Sequence, residues 1–168
     1  LADFTSHVEQ AKKNISFLAT VNNQQIGFWD WQIAISFYSA VHLVNGYLAE
    51  KANLHHRSHE EVKNALNPHK GIPICALPED IYLAYIKLEC LSRRARYLCS
   101  EDMQDTSTKA HFTSSKHFAR SVRLLDKIID HFNTVYKLSI TGTPIFCDKL
   151  FSTDNLKCFD VNPTKKTV

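Results

Sequence analysis

Turn-forming residues are scarce in this chain: its 168 residues include four Gly and five Pro. A sandwich or barrel of many short strands needs more corners than that, so long helices with few connections are expected. No apolar run reaches the roughly 18–20 residues that cross a bilayer, and no secretory leader precedes the domain, so no membrane partner is expected. CxxC pairs are missing as well. The five cysteines, Cys75, Cys90, Cys99, Cys147 and Cys158, are odd in number and scattered. A chain long enough to build a core does not need a disulfide framework. They read as reduced thiols of a cytoplasmic protein, and their spacing argues against zinc fingers. A strong charge excess is absent too. The net charge is +3, and residues 137–168 supply +2 of it through five Lys and three Asp. A general nucleic-acid binder carries more positive charge on one face, so any RNA or DNA site here is a local patch.

What is present is apolar content, 44% against 22% charged, arranged at helical spacing. Phe4, Val8, Ala11, Ile15 and Leu18 form one stripe of a helix over about 3–20. Asn22 to Gln25 and Gly27 have poor helix propensity and should stop it. Asp30 is a candidate N-cap for the next helix, from Trp31 to about Lys51. That segment is apolar on most sides and reads as a central helix, with a narrow strip of Gln32, Ser36, Ser39 and Gly46. Such a strip admits a close backbone, either within the fold or from a second subunit. Ser58 and Glu61 have the spacing of a capping box, opening a short helix to about Leu66. Pro78, Glu79 and Asp80 suit the start of a third long helix. A fourth is expected over about 108–133. The expectation is an all-α, up-and-down bundle of four long helices plus a short one over residues 1–136. Residues 137–168 read as an irregular, extended tail covering the bundle or a partner.

Three segments in this order, Asp30–Glu50, His55–Leu66 and Leu91–Leu98, carry a family likeness. DWQIAISFYSAVHLVNGYLAE resembles the second helix of HEPN-domain proteins (higher eukaryotes and prokaryotes nucleotide-binding). HHRSHEEVKNAL is similar to the loop and short helix that follow in one bacterial branch, and LSRRARYL to that branch's third-helix ending. The likeness implies a bundle of four or five helices that usually dimerises. It also implies the company of RNA, nucleotides, or an antitoxin or nucleotidyltransferase partner. Catalytic members of the family carry Arg, four to six residues, then His, and cut RNA without metal. None of Arg57, Arg93, Arg94, Arg96, Arg120 and Arg123 has a His in that window. The nearest miss, Arg123 to His131, puts the two side chains about 80° apart on a helix.

Several residues have chemistry to offer. His55, His56 and His59 are dense enough for a metal, but no HExxH-like partner accompanies them, and no metal or cofactor is expected. The competing role is an anion-binding loop, with Arg57 and His59 at a helix N-terminus beside His56. Arg93, Arg94 and Arg96, with Tyr97 to stack on a base, make a second cationic cluster that suits phosphate. Against this, Glu89 lies four residues before Arg93 and can pair with it. Arg57 and His59 are expected to face Arg93 or Arg96 across a shallow groove. His42 and His59 are the candidate acid–base groups, because imidazole titrates near neutrality. His42 shares a side of its helix with Tyr38, which also fits a buried, hydrogen-bonded role. Three functions remain open: a HEPN-like homodimeric module binding RNA, nucleotide or protein; a metal-independent ribonuclease; and a pure protein-interaction subunit.

Overall fold

The computed structural model describes residues 1–24, 27–56 and 58–161. Its long helices are α1 (Phe4–Gln24), α2 (Trp29–Ala52), α4 (Glu79–Tyr97) and α5 (Ser115–Tyr136), with the short α3 (His59–Leu66) after α2. They pack as the expected helical bundle. α2 is its centre, in contact with α1, α4 and α5, and Ile33, Phe37, Leu43, Val44 and Leu48 of α2 are fully buried or nearly so. No described helix is long and apolar enough to cross a membrane.

Local chemistry sets most helix ends. Asp3 Oδ1 accepts the Ser6 N–H at 2.8 Å at the start of α1, satisfying a donor the helix leaves free. The capping box of α3 forms as expected: Glu61 N–H donates to Ser58 Oγ, and Ser58 N–H donates to Glu61 Oε2, both at 3.2 Å. After α3 the chain turns so tightly at Gly71 that a Cβ there would lie within 2.8 Å of three carbonyl oxygens.

Three boundaries differ from the sequence expectation. α1 does not stop at residue 20 but runs to Gln24. Asn22 is fully buried, and its amide donates to Gln32 Oε1 (2.8 Å) and the Phe146 carbonyl (3.0 Å) while its Oδ1 accepts the Phe146 N–H (2.7 Å). Tertiary hydrogen bonds override its weak propensity. α2 starts earlier, at Trp29, with Phe28 in the capping position and no side-chain cap; Asp30 sits in the first turn, not at the cap. α5 starts later, at Ser115. Ser114 donates its N–H to His117 Nδ1 at 3.1 Å, fixing the helix start there and leaving 108–114 outside the helix.

The tail is more ordered than expected. Strands β1 (Thr143–Ile145) and β2 (Phe159–Val161) pair in parallel, with Thr143 opposite Phe159. Helix side chains hold its backbone. Asn133 binds both backbone groups of Ile140, Arg123 pairs with Asp154 at 2.8 Å, and buried Asp126 accepts the N–H groups of Lys157 and Cys158. As far as Val161, therefore, the tail lies on the bundle.

Candidate functional site: an aromatic groove bordered by Arg96

A quarter turn from its polar strip, α2 presents Trp31, Ile35, Tyr38 and His42, a ladder at steps of four and three. α1 sets Asn14, Phe17 and Val21 alongside at steps of three and four. Together with Phe28, Ala34 and Arg96 of α4 these residues line an open groove of about 870 Å³. Its aromatics face solvent: Trp31 is 65% exposed, Phe17 55%, Phe28 54% and Tyr38 40%. The apolarity of α2 on most sides predicts neighbours on several faces. Among the described residues this side is left largely exposed.

Arg96 borders the groove beside Tyr38. Its guanidinium lies 6.0 Å from the Tyr38 ring centre and 4.9 Å from that of Tyr97, and it donates to Ser92 O (3.3 Å) and Tyr97 Oη (3.3 Å). Among the described residues it pairs with no carboxylate. His59 lies 5.1 Å from the Phe37 ring centre and 6.4 Å from that of Tyr38. Burial pushes the His59 imidazole below its ordinary value; Glu89 opposes this, and Arg96 and Lys63 reinforce it. The lowered pKa favours the neutral ring, which can accept a proton or a hydrogen bond.

The other candidates are dispersed. Arg93 donates to the Met103 sulfur. Arg94 donates twice to the Phe112 carbonyl, at 2.8 and 3.2 Å, and lies 3.7 Å from Glu101, so it pins the loop before α5. Glu89 pairs with Lys63 at 3.3 Å rather than with Arg93. His56 lines a different hollow, of about 350 Å³, with Glu61, Asn64 and Lys70. Arg57 falls outside the described residues. His59, Arg96 and Tyr97 thus come together around Tyr38, while Arg93, Arg94 and His56 go elsewhere.

His42 stands on the groove wall, but among the described residues its side chain bonds neither a tyrosine nor a carbonyl. Its Nδ1 is 3.1 Å from the Nδ1 of His7, a residue the sequence reading did not single out. Burial, then the His7 charge, depresses the His42 pKa. The α1 wall also went unnoticed, although Phe17 is an aromatic placed off the Phe4–Leu18 stripe, which was signal enough. No three His, Cys, Asp or Glu side chains gather into a metal centre among the described residues. Burial pushes the thiols of Cys75, Cys90 and Cys147 up, and that of Cys158 to about 12, so these four are protonated and poor nucleophiles. Comparison of the chain with known protein families, curated proteins and solved structures finds no match.

Proposed function

We propose that this chain is a HEPN-like helical binding module that works as a homodimer, with a second copy covering the aromatic groove. The observation that supports this is the composition and exposure of the groove lining. Among the described residues it contains Trp, Phe, Tyr, Arg and His but no Lys, Asp or Glu, which is the composition of an interface core. Its four exposed aromatics alone offer roughly 400 Å² at the usual size of such side chains, about half of the ~800 Å² a stable interface takes from each partner. Sedimentation of the full chain tests it. The wild type should sediment as a dimer at micromolar concentration and Trp31→Asp as a folded monomer. A monomeric wild type at high micromolar concentration rejects the reading.

A specific observation favours RNA or nucleotide contact at the rim of that interface. Among the described residues Arg96 pairs with no carboxylate; it lies against the rings of both Tyr38 and Tyr97 and acts on His59. A base stacks on such rings, and a phosphate meets such a guanidinium in two parallel hydrogen bonds. Binding of a labelled single-stranded RNA oligonucleotide should weaken with salt, and Arg96→Gln should lower the salt slope by about 1. Cleavage of that RNA in the presence of chelator would instead identify the chain as a metal-independent ribonuclease.

A further inference from the structure

Gly46 lies one turn beyond His42 on α2. With no side chain at 46, α1 approaches so closely that a Cβ there would sit 3.1 Å from the Cβ of His7. The approach sets His7 beside His42, with ring centres 5.4 Å apart and Nδ1 atoms 3.1 Å apart. Both side chains are half-buried. Two neutral imidazoles at that separation share a proton, one Nδ1 donating and the other accepting.

The same two atoms suit a shared ion. Zinc–imidazole bonds are about 2.0–2.1 Å long, so two of them spanning 3.1 Å meet at about 100°, between the square and the tetrahedral angle. Reaching that arrangement turns each Nδ1–metal bond about 40° off the line joining the nitrogens, which is a matter of ring rotation. We propose that His7 and His42 form a two-imidazole site for a divalent ion of the nickel, copper and zinc group, clasping α1 to α2. Water completes the coordination.

The surroundings agree with this. Burial is the largest cause lowering the pKa of each ring, which favours uncharged imidazoles; when the ion binds, the Nδ1 that donates in the pair gives up its hydrogen and that ring carries its proton on Nε2 instead. Among the described residues, the other groups acting on them are His55 and the Asp3 carboxylate, which favours positive charge at His7. No Lys or Arg is among these groups. The site stands on this geometry and does not depend on what covers the groove.

Titration of the metal-free full chain with Ni²⁺, Cu²⁺ and Zn²⁺, followed by calorimetry and thermal unfolding, tests the proposal. The wild type should take up a single ion per chain at this site, Cu²⁺ most tightly, and unfold at a higher temperature with it; Mg²⁺ should do neither. His7→Gln and His42→Gln should each weaken binding by about tenfold or more, and His55→Gln by much less. Unchanged affinity in His7→Gln or His42→Gln, or affinity that follows His55 instead, overturns the site. Should either variant lose its fold, the Cu²⁺ resonance spectrum of the wild type decides: coupling to two imidazole nitrogens upholds the pair, and oxygen ligation alone overturns it.

Discussion

Two faces of α2, a quarter turn apart, reverse the usual rule of burial. Gln32, Ser36 and Ser39 are polar and fully buried; Trp31 and Tyr38 are large, aromatic and exposed. The polar face is affordable because it is satisfied. Gln32 takes a hydrogen bond from Asn22, while Ser36 and Ser39 donate to carbonyls one turn back at 2.8 and 2.9 Å. Small side chains there let α1 come close, so the strip serves the fold of one chain and is not available to a second subunit. The aromatic face has no such account within the chain. Exposed aromatic surface of this kind marks a contact site.

Breaking the polar face should cost most. Asn22→Leu leaves the Phe146 N–H and carbonyl without their partner, and is expected to lower stability by about 2–4 kcal/mol in urea unfolding. Gly46→Leu forces a side chain into His7 and the Phe4 carbonyl, which lie 3.1 and 3.4 Å from the Cβ position. The expected loss is about 1–3 kcal/mol, read in the same assay.

Acid should act on the seam between the faces. His7, His42 and His59 all have pKa values pushed below the ordinary 6.5 by burial. The unfolded chain therefore binds protons first, so stability is complete above about 6.5, falls as pH drops through that value, and levels off once the folded rings also protonate. A series of unfolding midpoints between pH 7.5 and about pH 5 checks this, and His42→Gln should flatten the curve. The smallest change is expected on the aromatic face itself. Trp31→Gln should leave monomer stability within about 0.5 kcal/mol, because the side chain is 65% exposed.

Helix type and core were legible because they depend on local periodicity: the Phe4–Leu18 stripe and the Ser58–Glu61 box form as spaced. The end of α1 was not, because Asn22 is held by Phe146, a residue 124 positions away. The same reason hid the tail sheet and the seats of Asp126 and Arg123. At the site, His59, Arg96 and Tyr97 were marked by residue type, while Tyr38 stood out only as the residue one turn before His42. What periodicity could not say was which side of a helix apolar on most sides would be left exposed. It also gave no hint that Gly46 would seat His7 against His42.

Trp31 itself reports most directly on the claim that a second copy covers the groove. Trp29 is half-buried and stacks on Phe118 at 5.3 Å, so Trp29→Phe leaves Trp31 as the lone indole while keeping an apolar ring in the core. Emission of that variant, followed from nanomolar to high micromolar concentration, should shift to shorter wavelength and lose iodide quenching as the dimer forms. Emission that stays solvent-like and fully quenchable across the whole range would contradict the account.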